Sequence, residues 1–182
     1  MMVTTHVASG LLLAVPVAMT APALALPAAV GAVLGGILPD VDLFVGVHRK
    51  TLHFPVYYSV LGVLAGGVAL VAPAPVTVAV ALGFLAAGVH SITDWLGAGE
   101  ELRPWERTSD RAVYLHPRRQ WLRPRYLVRY DGAPEDLLLT VVLAIPAVAT
   151  FDGWLRALVV GGVVLAAAYT LCRKRVPDWL GI

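Results

Sequence analysis

Long apolar runs, broken by proline, glycine and small polar clusters, make up most of the chain. A helix needs about 20 predominantly apolar residues to cross a bilayer, with about 17 tolerated. The breaks divide the sequence into three helical hairpins on that scale. Residues 3–19 and 22–38 form the first, turning at Thr20-Ala21-Pro22, where Pro22 suits a first helical position because its missing N–H would be unpaired there anyway. Residues 54–71 and 76–95 form the second, across Ala72-Pro73-Ala74-Pro75, which cannot continue a helix. Residues 137–151 and 154–172 form the third, joined at Asp152-Gly153, with Asp136 placed to cap its first helix and Pro146 to kink it. The pattern predicts an all-α polytopic bundle of about six helices, with a polar loop over residues 96–134. Alternation near 112–116 and 126–130 allows a small β-hairpin in that loop.

Composition moves this bundle into a membrane. At 58% hydrophobic and 14% charged residues, with a mean hydropathy of +0.75, the chain lies far from soluble-domain averages. Its 182 residues leave room for one bundle and a modest loop, hence a single membrane-embedded domain over 1–182. The one cysteine, Cys172, excludes an intrachain disulfide, a CxxC redox pair and a cysteine-based zinc cluster. Residues 11–19 look like the apolar core of a secretory signal, but the basic stretch that should precede it is missing, so a retained first helix is expected.

Charge then orients the bundle, because Lys and Arg near helix ends stay on the cytoplasmic side. Arg49 and Lys50 follow helix two, eight arginines from Arg103 to Arg129 follow helix four, and Arg173, Lys174 and Arg175 follow helix six. Of the 14 cations only Arg156 falls on the other side. Both termini are therefore expected in the cytoplasm.

Seven residues able to bind a metal or move a proton fall at that same face: His6, Asp40, Asp42, His48, His53, His90 and Asp94. The strongest group is Leu38-Pro39-Asp40-Val41-Asp42, followed by His48, Arg49 and His53. Folded back, this loop offers ligands for one or two divalent ions. In an extended segment Asp40 and Asp42 would point to opposite sides, so that one binds metal while the other orients a histidine or serves a second metal. Helix termination by Pro39 explains the acids but not His48 and His53. His90-Ser91-Ile92-Thr93-Asp94 puts a histidine and a carboxylate one turn apart on one helix face, a spacing that suits chelation. His6 is the least specific member. Thr4-Thr5-His6 opens the first hairpin much as Thr51-Leu52-His53 opens the second, which suggests a short internal pseudo-repeat.

The order T-x-H at Thr4 to His6, G-x-L-P-D-x-D at Gly36 to Asp42, H-R at His48 and Arg49 with His53 nearby, and H-x-x-x-D at His90 to Asp94 resembles the inner-membrane metal-dependent hydrolases of the YdjM type. The resemblance spans residues 4 to about 106. In that family the second block reads H-R-G-x-T-H-S, whereas here it is His48-Arg49-Lys50-Thr51-Leu52-His53-Phe54, without the glycine and serine and with the threonine displaced. The family is distantly similar to zinc-dependent phospholipase C and P1-type nucleases, helical proteins that bind clustered zinc through His and Asp. The resemblance implies a prokaryotic inner-membrane hydrolase of a phosphoester, phospholipid-like substrate, with zinc, or else manganese, as its divalent metal.

That chemistry would use one or two ions to activate water and polarise the phosphoryl group. Arg49 is the better candidate to grip the phosphate, since its planar fork binds bidentately, with Lys50 beside it; both also fit a plain positive-inside role. Whichever of Asp40 and Asp42 is not a ligand is the natural general base. Asp40, Asp42 and Arg49 are thus the catalytic candidates.

The loop over 97–134 interleaves its eight arginines with Trp105, Tyr114, Trp121, Tyr126 and Tyr130. Such a mixture suits membrane lipids, with aromatic residues at the headgroups and arginines on phosphates. Glu100, Glu101, Glu106 and Asp110 interrupt its first half and disfavour nucleic acid. His116 is expected as a surface histidine. The alternative to an enzyme is a membrane scaffold with a structural metal that recruits a soluble protein through this loop; the family name suggests a DNA-damage repressor. Divalent-ion transport is disfavoured, because the helix centres are Ala, Val, Leu and Gly rather than polar.

Overall fold

A computed structural model describes residues 1–181. Its α-helices are α1 (Val3–Thr20), α2 (Ala25–Ile37), α3 (Pro55–Val71), α4 (Pro75–Trp95), α5 (Pro134–Thr150), α6 (Gly153–Cys172) and the short α7 (Val176–Leu180). Single 3-10 segments, Pro22–Leu24 and Leu38–Leu43, flank α2. Pro55, Pro75 and Pro134 each open a helix, where the fixed proline φ is preorganised and no N–H is missed.

Four segments are long and apolar enough to cross a membrane: Val3–Thr20, Pro22–Leu43, Pro75–Trp95 and Gly153–Trp179. The six expected helices recur at nearly the expected positions, but two of them fall short as spans. The apolar α3 has 17 residues, a length of about 25 Å against a hydrocarbon core of about 30 Å. The equally short α5 carries Glu135 and Asp136 in its first turn.

Small residues set the packing. α2 crosses α4 so closely that a Cβ on Gly31 would meet the backbone of Ala79, and one on Gly35 the backbone of Gly83. Close backbone approach of this kind is how helices associate where lipid leaves no hydrophobic drive. Around this pair the core is largely alanine: Ala8 and Ala14 of α1, Ala28, Ala29 and Ala32 of α2, Ala81 of α4, Ala144 and Ala147 of α5. α3 packs on α4, α5 on α1, and α6 mainly on α5.

Asp136 does not cap α5, whose N-cap is Ala133. Lying in the first turn, its buried carboxylate accepts from Met2 N (2.8 Å), Thr5 Oγ1 (2.7 Å) and Gly132 N (3.0 Å), tying the start of α1 to the start of α5. The loop does contain a hairpin, β1 (Val113–Leu115) with β2 (Gln120–Leu122), Tyr114 standing opposite Trp121. Its second strand is 120–122 rather than 126–130. The turn through His116–Arg118 closes at once with Arg119 at φ 50°, while Tyr126 at φ 54° breaks the later extended run. Backbone bonds from Tyr126 N to Gly97 O (3.0 Å), Leu127 N to Leu96 O (2.9 Å) and Tyr114 N to Arg49 O (3.0 Å) fix the loop over one end of the bundle.

Candidate metal centre

That end gathers the start of α1, the exit of α2, the 44–54 loop and the last turns of α4, because antiparallel neighbours alternate direction. All seven sequence candidates lie there. Four of them converge: His53 Nε2, His90 Nε2, Asp40 and Asp94 place their ligand atoms within 4.8 Å of one another. His53 Nε2 is 3.2 Å from Asp94 Oδ2 and 3.8 Å from Asp40 Oδ1; His90 Nε2 is 3.3 Å from Asp40 Oδ1 and 3.5 Å from Asp94 Oδ2. Donors around a tetrahedral divalent ion, at bonds of about 2.0–2.2 Å, stand roughly 3.3–3.6 Å apart.

Hydrogen bonding on the far side of each ring fixes which nitrogen faces the cluster. His90 Nδ1 lies 2.7 Å from Gly36 O, an atom that can only accept, so Nδ1 carries the proton. In the neutral ring Nε2 is then a bare lone pair; it is buried and has no hydrogen-bond partner. His53 is held in the same way, with Nδ1 2.9 Å from Asp42 Oδ2. The two ring nitrogens and the two carboxylates thus face a common point at one end of an apolar bundle, where Asp94 Oδ1 also meets the Met1 ammonium at 2.6 Å. This donor set fits a divalent metal, and Asp40, His53, His90 and Asp94 lie close enough to hold one.

Asp42 sits behind that group. Only 1% exposed, it accepts from His48 Nδ1 (2.8 Å), His53 Nδ1 (2.9 Å), Leu52 N (3.2 Å) and, more weakly, Arg49 N (3.4 Å). Asp42, His48 and His53 also come close enough to form a second metal-sized group, which shares His53 with the first. His6 packs its ring flat on His90 at 3.6 Å and places Nε2 3.0 Å from Asp94 Oδ1. Asp94 therefore meets His6 on one oxygen and His53 on the other, so the histidines of the two T-x-H-like corners do meet at one carboxylate.

Arg49 is buried rather than displayed at the lipid surface. Its Nη1 donates to Ala98 O (2.6 Å) and its Nε is 3.7 Å from Asp94 Oδ2. Its backbone takes φ 59°, a left-handed conformation that costs on the order of 1–3 kcal/mol for a side-chain-bearing residue and clusters at functional sites. Lys50 instead lies over the Tyr114 ring at 4.5 Å, outside the cluster. His116 also stays outside, 4.4 Å from the Phe54 ring, where burial lowers its pKa.

A cavity of about 440 Å³ opens onto the centre, with Asp40, Asp94, His48 and Arg49 on one wall and Leu165, Tyr169 and Arg173 on the other. This α6 wall was not foreseen in the sequence, since nothing in the pattern of α6 marks the residues that turn inward. Thr5, rather than Thr4 of the T-x-H pattern, joins the Asp136 network, and the Gly36 carbonyl carries no signal at all. The centre is accordingly read from its own atoms: no protein-family model, curated protein or solved structure matches the chain.

Proposed function

We propose that this chain is an integral membrane, metal-dependent hydrolase that cleaves a phosphoester at the cytoplasmic membrane surface. The observation that carries the reading is the buried, unpartnered Nε2 of His90, held toward Asp40 and Asp94 by the Gly36 carbonyl. Asp40, His53, His90 and Asp94 are the ligands in this reading, with His6 bracing Asp94. A bound divalent ion, zinc by preference or manganese, would supply an acidified water and polarise the phosphoryl oxygen. The open cavity favours an enzyme, since a purely structural metal is closed off by its ligands.

Residue roles follow from position. Asp42, with both oxygens engaged, holds His48 and His53 and is neither ligand nor base. His48, a quarter exposed on the cavity wall with Nδ1 on Asp42, is placed to take the proton as water oxygen bonds to phosphorus; the leaving oxygen departs with a proton. Arg49, on the same wall, faces the phosphate. The clustering of cations at the site end supports a cytoplasmic location for the site and both termini in an inner membrane. The motif resemblance to YdjM-type hydrolases points the same way, and the Arg- and aromatic-rich loop is read as lying on anionic lipid.

Elemental mass spectrometry on detergent-purified protein tests the metal. Near-stoichiometric zinc or manganese in wild type, lost in the folded double variant His90→Ala, Asp94→Ala, is the expected result, together with metal-dependent hydrolysis of bis(p-nitrophenyl) phosphate. Metal without turnover on any phosphoester would favour the scaffold that recruits a soluble partner. Absence of metal after reconstitution would end the hydrolase reading.

A further inference from the structure

A second cavity, of about 280 Å³, adjoins the first. Val3, Thr4 and Leu165 line both. Beyond them its walls are Val7, Ala8 and Leu11 of α1, Val33 and Ile37 of α2, and Leu158, Val159, Gly161, Gly162 and Val163 of α6. From Thr4 to Leu11 the groove descends about 10 Å along α1 at 1.5 Å per residue. It is apolar throughout apart from Thr4 and Thr140, and the Thr140 hydroxyl is already paired with Thr5 and Asp136.

Its rim faces outward: Val3, Ile37, Leu158 and Leu165 are between 37% and 62% exposed, on helices long and apolar enough to lie in a bilayer. At the junction of the two cavities Thr4 Oγ1 is buried and has no hydrogen-bond partner. The two cavities thus adjoin at Val3, Thr4 and Leu165, with an acid-, His- and Arg-lined chamber on one side, an unpartnered hydroxyl where they meet and an apolar slot along α1 on the other.

From this we infer that the α1–α6 groove binds a hydrocarbon chain of a phosphate-bearing membrane lipid, whose head occupies the chamber beside Asp40, Asp94 and Arg49. The inference rests on the hydrolase reading for the identity of the head, and adds the place of the chain: a slot between α1 and α6 built for a long-chain amphiphile. Thr4 Oγ1 supplies a donor for an oxygen between head and chain.

Gly162 and Gly161 allow a direct test, since a Cβ on Gly162 would meet only Thr4 Cγ2 at 3.9 Å and one on Gly161 would meet nothing within 4 Å. Replacing either by leucine fills space in the groove while improving helix propensity, so folding is expected to survive. Native mass spectrometry of detergent-purified wild type, Gly162→Leu and Gly161→Leu would compare retention of dioleoyl and dihexanoyl phosphatidic acid, with metal content measured on the same samples. The expected result is at least a tenfold loss of dioleoyl retention in Gly162→Leu, with dihexanoyl retention and metal content unchanged. Equal dioleoyl retention in both variants and wild type, equal loss of both probes, or no retention by wild type overturns the chain site. Loss of metal from wild type sinks the hydrolase reading separately, because dioleoyl selectivity is read without turnover.

Discussion

Gly36 contributes no side chain to the candidate metal centre, yet its carbonyl decides which nitrogen His90 turns toward Asp40 and Asp94. By accepting the Nδ1 proton it leaves Nε2 free to face the candidate centre, and Asp42 does the same for His53. Such supporting partners typically change metal affinity by 10–100-fold when removed. Asp42→Ala should therefore retain the fold but weaken metal binding by about that factor, as measured by competition with a calibrated chelator. His48 behaves differently if it moves a proton: His48→Gln should leave metal content intact and lower hydrolysis of bis(p-nitrophenyl) phosphate by about 10²–10⁴-fold. Of the two acids that the sequence left interchangeable, Asp40 is 16% exposed at the cavity and Asp42 is sealed behind two imidazoles. The extended segment that would put them on opposite sides is instead a 3-10 turn over Leu38–Leu43, because Pro39 sits at its first turn, and it brings Asp40 to the four-residue group while Asp42 meets His48 and His53.

At the scale of elements, the breaks were legible because proline and glycine act locally. Pro55, Pro75 and Pro134 open helices within a few residues of where the apolar pattern begins. What a pattern cannot encode is which faces meet, and α2 and α4 meet through glycine. Gly35→Val should drive a side chain into the Gly83 backbone, separate the helices that carry Asp40 and His90, and cost both monodispersity on size-exclusion chromatography and bound metal. Gly67→Ala, in open space on α3, should change neither. The surface hairpin makes its own prediction. His116 titrates below its ordinary value of 6.5 because burial disfavours its charged form, so the folded state binds fewer protons than the unfolded one. Its contribution to stability is present above about pH 6.5 and is lost as pH falls through the folded value. The melting temperature of His116→Phe should accordingly depend less steeply on pH in that window than that of wild type.

Taken whole, the molecule brings Asp40, His53, His90 and Asp94 together at one end, close enough to hold a cation. A cation bound there stabilises the native state alone, by about 2.7 kcal/mol when its free concentration is a hundredfold above Kd. Chelation should therefore lower the melting temperature in detergent, and readdition of zinc or manganese should restore it, an effect absent from the His90→Ala, Asp94→Ala variant. The outer position of α6, which leans mainly on α5, matters in another way. If the slot takes its chain from the bilayer, the two meet by lateral diffusion, so dimension replaces dilution. In vesicles, turnover should track the mole fraction of the amphiphile in the bilayer and stay constant when lipid and amphiphile are diluted together.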